Sequence, residues 1–474
     1  MKKFISIFLI LTIMISMLSL VSCDFWIFKT TTITEATTTT IPDVPSVRFD
    51  GGYDSSEVMI EIWHLLHESS CITAIEKAAL RFKEIYPNIT IKTMTYGDYN
   101  QIYEFVNKTD KENRPNLIFC SPELILEYNK SNSIVTLDSF VDSDYVIEST
   151  GEMMGFTEEQ IDDLVDNFYN EGRILDDGKM YYLPLYRLTD LLYYNKSVFD
   201  ELGLEAPQTW KDVENCIQVI KENYPDSIPL GCESTENLFI TLAAQYGSDY
   251  TSNTGNNYLF VNDTNKSFVS KFAEWYQKGW FTTDYPERGP YDDFASGKIL
   301  MSIASSAGVR YHYPNKVDGE YTFELGVAPM PQVDTSSPKS ISYGPSIAML
   351  ESENIQEVYA SWLFLKFLMT DPETQGLLAV RYLSMPMTNS ALESNIYTNM
   401  MKSYENSGSL LLTANEFIVT QSTACFIPAV FTGADKTKEN VGLLMKSVFS
   451  KYQLGANNST MIDEEFIKAL ANCK

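Results

Sequence analysis

Residues 178–210 read GKMYYLPLYRLTDLLYYNKSVFDELGLEAPQTW. Asp177-Gly178 makes an entry turn, a strand follows and is closed by Pro184, and a polar crossing runs through Arg187, Thr189 and Asp190 into a second strand, Leu191–Tyr194. Asn195 then offers an N-cap to a short helix over Lys196–Leu202, which Gly203 stops. Thr209 caps the next helix, and its spacing to Asp212 is that of a capping box. Two apolar strands joined by a polar link predict a hinge that also lines a cleft.

On the N-terminal side the pattern is strand, amphipathic helix, strand. Val58–Trp63 is a short apolar strand, Ile72, Ile75, Ala79, Phe82 and Ile85 share a helix face, Pro87 ends that helix, and Ile89–Tyr96 is the next strand. Such a unit implies a parallel sheet. Its strand ends carry Trp63-His64 and then Tyr99, and a third strand, Asn116–Cys120, ends at Ser121-Pro122-Glu123. Open α/β sheets place ligands along this carboxyl rim. Phe156–Phe168 is expected to be one helix closing the first lobe.

On the C-terminal side helices are expected near 236–246 and 267–278, the latter stopped by Gly279. A strand over Ile299–Ala304 leads to Ser305-Ser306, where hydroxyls and free backbone N–H groups suit a polar ligand. Tyr321–Ala328 is expected to be a strand, and the run Ile341–Leu350 is interrupted by Tyr343-Gly344-Pro345, which predicts a close backbone approach or a second crossing. Glu353–Met369 is a helix with Val358, Trp362, Leu365 and Met369 on one face, and Asp371-Pro372 starts another. From Ala414 onward the chain is mostly helical. Alternating strands and helices without a repeat indicate an α/β protein of two lobes, which a length of 474 residues also favours over one core.

A formal charge of -28 argues against nucleic acid and an anionic membrane surface as partners, since both need clustered Lys and Arg. Lys2-Lys3, the apolar run Phe4–Leu20 and the sequence Leu20-Val21-Ser22-Cys23 resemble a bacterial lipoprotein signal, so 1–22 is expected to be removed and Cys23 lipidated, with an uncleaved membrane anchor as the alternative. Residues 23–56, with a Thr-rich tract and two prolines, lack the apolar content to fold and form a tether. Of seven cysteines, the six beyond Cys23 form no CxxC pair and mostly lie in apolar runs, as buried free thiols do, with one bridge left open.

A series of short motifs recurs in order from about Val58 to Leu392. They are Trp63-His64, Arg81-Phe82 through Tyr86-Pro87, Tyr96-x-x-Tyr99, Leu192-Tyr193-Tyr194-Asn195-Lys196, Gly297 with Ala304-Ser305-Ser306, Tyr343-Gly344, and Leu365-x-Phe367-Leu368 followed by Asp371-Pro372-Glu373. In this combination the chain resembles the extracellular solute-binding proteins of ABC importers, the carbohydrate-binding class that includes the glycerol-3-phosphate receptors. The resemblance implies a periplasmic-binding-protein-like fold of type II, similar to the maltose-binding protein, with two discontinuous α/β lobes that close on a ligand. Carried onto this sequence, one lobe holds 57–185 with 345–395 and the other 186–344 with 396–474. It further implies a monomer that delivers its ligand to ABC permease subunits, held by its lipid on the outer face of the bacterial cell membrane. Two departures bear on the ligand. The glycerol-3-phosphate receptors carry Gly-Tyr-Leu-Pro where this chain has Tyr382-Leu383-Ser384-Met385-Pro386, and their C-terminal arginine has no counterpart in 423–431. A neutral sugar or oligosaccharide is therefore the expected cargo, with a phosphorylated one as the alternative.

Sugars offer apolar C–H faces and hydroxyls, so their sites need aromatic platforms and polar groups together. Trp63, Tyr99, Tyr186 and Tyr343 are candidate platforms, with Trp280 after them; Glu123, Thr189, Asp190, Ser305, Ser306 and His64 are candidate hydrogen-bonding groups. Gly344 and Tyr382, in the second crossing and the departing segment, complete the set. With 29 Tyr and 26 Phe, many rings must be ordinary core. His64-x-x-His67 with Glu68 is not HExxH, and no metal or cofactor is expected. The two Gly–Lys segments near 178 and 297 lack phosphate-loop spacing, and there is no GxSxG elbow. A secreted glycosidase, with Glu123 and Asp190 as its carboxylates, is the competing enzymatic reading.

Overall fold

The structure is a computed structural model that describes residues 49–65, 69–130, 133–173, 177–252, 258–283 and 290–474. The expected signal, Cys23 and most of the tether, with His67 and Glu68, lie outside the described residues. Among the described residues no helix is long and apolar enough to cross a membrane.

In chain order the strands are β1 (Val58–His64), β2 (Ile89–Thr95), β3 (Leu117–Cys120), β4 (Leu183–Pro184), β5 (Leu188–Asn195), β6 (Ile228–Cys232), β7 (Phe281–Thr282), β8 (Ile299–Ser305), β9 (Lys316–Val317), β10 (Glu320–Tyr321), β11 (Leu325–Pro329), β12 (Ser340–Tyr343), β13 (Ser346–Met349) and β14 (Cys425–Phe426). One sheet has the order β2-β1-β3-β13-β4. Within it β1 runs parallel to β2 and β3, as the strand–helix–strand pattern requires, whereas β13 returns antiparallel between β3 and β4. The second sheet has the order β14-β12-β5-β8-β6-β7. Its spine is β5: β8 covers one edge, while on the other Leu188 and Thr189 pair with β12 and Leu191–Asn195 pair with β11.

Each sheet is covered by helices that bury an apolar face. Against the first lies Ile355–Thr370, whose Trp362 is fully buried between Phe140 and Phe156 and donates from Nε1 to the Met154 carbonyl at 2.7 Å. The second is backed by Thr235–Gln245, Asp263–Gln277, Ala434–Gln453 and Ser459–Cys473, which enclose Phe239, Phe272, Phe449 and Phe466. Cys120, Cys216, Cys232, Cys425 and Cys473 are buried free thiols.

Where the chain passes from one sheet to the other, three segments lie side by side. Leu185 N donates to the Pro345 carbonyl at 2.9 Å, and Arg187 and Met385 exchange backbone bonds at 3.2 and 2.7 Å. Residues 185–187 and 344–345 thus connect the two sheets side by side. A later connection follows residue 395. Glu373 accepts from the N–H groups of Asn395 and Ile396 at 2.8 and 3.0 Å and so keeps the helix Asn395–Ser407 with the first sheet's helices. The next helix, Leu410–Gln421, packs on the second sheet.

Local structure departs from expectation in four places, each for a tertiary reason. Phe156–Phe168 is broken into Glu158–Asp163 and Asp166–Tyr169, because Leu164 pairs with Thr388 and Val165 N donates to Met387 O at 2.9 Å instead of continuing the helix. Tyr321 belongs to the β9–β10 hairpin, turned at Gly319 (φ 90°), so the long strand begins only at Leu325. Thr189 and Asp190 lie inside β5 rather than in a link, their side chains being satisfied by Ile341 and Tyr343. β6 was not expected from Ile228-Pro229-Leu230-Gly231-Cys232, since Pro and Gly weaken strands; Pro229 falls at a position absent from its register with β8.

Candidate functional site

Between the two sheets lies a cavity of about 330 Å³, beside the crossings. Its first-sheet wall comes from Tyr99, Ser121 and Glu123. Tyr99 opens the helix Tyr99–Lys108, which Asp98 caps by accepting from Gln101 N at 2.7 Å, and burial holds its phenol well above the usual range. Glu123 sits in the turn Pro122–Leu124 that follows β3. The opposite wall comes from Ser342 and Tyr343 at the end of β12, from Ile427 and Pro428, and from Lys438 in the helix Ala434–Gln453. Glu123 and Lys438 make no ion pair among the described residues.

The floor is the hinge itself. Tyr186 and Arg187 reach it from the first crossing and Gly344 from the second. Tyr186 stacks on Tyr382 with ring centres 4.6 Å apart and planes 3° from parallel. Arg187 is fully buried and grips Glu171 through Nε, at 2.8 Å, and through Nη2. Its remaining donors go to Tyr186 O (3.0 Å), Pro345 O (2.9 Å) and Ser346 Oγ (2.7 Å). Burial pushes the Glu171 carboxyl up while the guanidinium pulls it back. Burial also opposes the Arg187 charge, but Glu171 more than offsets this and its pKa is raised.

Behind the Tyr343 wall is a polar network. The Tyr343 hydroxyl donates to Asp190 at 2.8 Å, and burial, with Glu233 nearby, lifts Asp190 to a pKa of about 6. Glu233, at the end of β6, accepts from the Tyr291 hydroxyl at 2.6 Å and from Ser305 N at 2.9 Å.

Of the residues singled out in the sequence, the cavity therefore brings together Tyr99, Glu123, Tyr186, Tyr343 and Gly344. Asp190, Ser305 and Tyr382 stand one layer back, supporting Tyr343 and Tyr186. Five others are placed elsewhere in the fold. Trp63 is buried against Tyr96 with its Nε1 donating to Glu61 at 2.8 Å, and His64 is buried against Phe119, because β1 is an interior strand whose C-terminal end these rings cover. Thr189 and Ser306 are buried strand ties: Thr189 Oγ1 donates to Ile341 O at 2.9 Å, and Ser306 Oγ accepts from Thr189 N at 3.5 Å. Trp280 lies under Lys278, off the cavity. Sequence reasoning missed Glu171, Glu233, Ser342 and Lys438. Only Arg187, a cation in an apolar run, carried a visible signal. Among the described residues no group of three or more His, Cys, Asp or Glu side chains could hold a metal ion.

Residues 69–375, more than half of the chain, match the family described as bacterial extracellular solute-binding protein. The multiple sugar-binding protein of Streptococcus mutans is 25% identical over 227 residues, 44% of this chain. The chain spans 51% of that relative's length and 58% of a putative binding protein from Brucella abortus. Among solved structures, an ABC substrate-binding protein from Listeria monocytogenes in complex with cycloalternan superposes with a TM-score of 0.67 at 16% identity, over 88% of this chain and 97% of that one. UgpB from Mycobacterium tuberculosis in complex with glycerophosphocholine gives 0.65 at 17% identity, over the same shares. The fold is thus the type II, maltose-binding-protein-like α/β arrangement, and the chain belongs to the bacterial extracellular solute-binding proteins.

Proposed function

We propose that this chain captures a neutral sugar or oligosaccharide in the cavity between its lobes and delivers it to an ABC permease. The observation that carries the reading is the wall chemistry: three tyrosine rings, Tyr99, Tyr186 and Tyr343, around one space with Glu123, Ser342 and Lys438. Rings cover the C–H faces of a sugar and the polar groups take its hydroxyls. Charge balance favours a neutral cargo over a phosphate. Arg187 is consumed by Glu171, and the other cation among the lining residues, Lys438, is offset in charge count, without an ion pair, by Glu123. A relative that carries sugar in its name points the same way. Ligand binding selects the closed arrangement of the lobes, and the protein acts as a receptor without turning its ligand over. Lipidation of Cys23 would tether it at the outer face of the cell membrane.

The test is a thermal-shift series with maltose, maltotriose, xylotriose, glycerol 3-phosphate, glycerophosphocholine and a tripeptide. A ligand bound only by the native state raises the melting temperature. Sugars should raise it and remain intact on prolonged incubation. A shift with glycerol 3-phosphate alone would replace the sugar reading, and release of shorter saccharides at catalytic turnover would replace the receptor reading.

A further inference from the structure

A second recess of about 240 Å³ adjoins the first cavity. The two share Glu171, Ser342 and Ile427, so they meet along those residues. Like the first, the second recess is walled from both lobes. Asn167 lies in the second piece of the broken helix, Asp166–Tyr169, Asn170 follows directly after it, and Phe426 comes from β14. Its chemistry repeats that of the first cavity in miniature, with a half-buried ring opposite exposed planar amides. The first cavity alone is near the lower end of small-molecule sites, which run from ~300 to 1,000 Å³. It has room for a short ligand, and a longer one must continue elsewhere.

We propose that the second recess is an extension subsite for a linear oligosaccharide. One end of the ligand seats among Tyr99, Tyr186 and Tyr343, the chain runs along the shared Glu171–Ser342–Ile427 wall, and a further ring lies on Phe426 with its hydroxyls on Asn167 and Asn170. This inference rests on the carbohydrate reading above and adds to it a chain-length preference.

The experiment is isothermal titration of the full chain with malto-, cello- and xylo-oligosaccharides of two to six units. In the best-bound series, affinity should rise about tenfold between the disaccharide and the tetrasaccharide, the worth of one more stacked ring. Phe426→Ala should remove that gain and leave disaccharide affinity within about twofold of the parent. Asn167→Trp, an exposed position where the fold tolerates change, should do the same by filling the recess. No gain with length, or a gain that survives both variants while the disaccharide still binds, would overturn the subsite and leave the carbohydrate reading intact. Failure of the parent protein to bind any of the three series would overturn both.

Discussion

Arg187 offers five N–H donors and the hinge supplies an acceptor for each: both Glu171 oxygens, two carbonyls and one hydroxyl. Both charged groups are almost wholly removed from water, so the pair survives through its geometry and not through Coulomb attraction alone. Removing one partner strands the other. Arg187→Met should therefore lower the unfolding free energy by about 3–5 kcal/mol, and adding Glu171→Leu should recover part of the loss. Urea titration of the three proteins checks both statements. Asp190 makes a different kind of prediction. Its folded pKa of about 6 lies above the ordinary 3.8, so the native state holds the proton more tightly. The stability this confers is complete below pH ~4 and is lost as the pH climbs through 6. Asp190→Asn, which cannot ionise, should lose less over that climb, by up to about 3 kcal/mol at 1.36 per unit. Denaturant midpoints of parent and variant at pH 4 and pH 7 measure the difference.

At the level of elements, the caps were legible because they are local. Asn195 accepts from Val198 N, Gly203 is left-handed at φ 65°, and Thr209 and Asp212 exchange capping-box bonds, as their spacing indicates. The second crossing was legible too, since Gly344 marks it. With φ 150° and an added Cβ only 2.6 Å from the Tyr186 carbonyl, Gly344→Ala forces the two crossings apart. It should cost about 1–3 kcal/mol, read as a lower melting temperature. The candidate site was legible only in fragments. Tyr99 and Glu123 follow strands whose ends could be counted from the sequence, but Ser342 and Lys438 reach the cavity through packing between segments almost a hundred residues apart. Trp63 illustrates the converse error: a strand end marks the rim, yet which face its side chain takes depends on the neighbours on either side. Phe156–Phe168 shows the same limit for helices, where bonds to Met387 and Thr388 overrode a continuous apolar period.

For the whole molecule, two lobes followed from length and alternation, whereas the discontinuous course of the chain came only from family resemblance and the coordinates. The five described thiols are buried and unbridged, so a reductant should leave the melting temperature unchanged in a scan with and without dithiothreitol. The position of β13 between β3 and β4 has a consequence in time. Ser346 lies 226 positions after Cys120, against which it pairs. A ribosome adding ~5–20 residues per second needs roughly 10–45 s to supply it. During that interval the nascent first sheet has a raw edge beside β3 and lacks the helix that carries Trp362, so its core cannot be sealed until those late residues have been made.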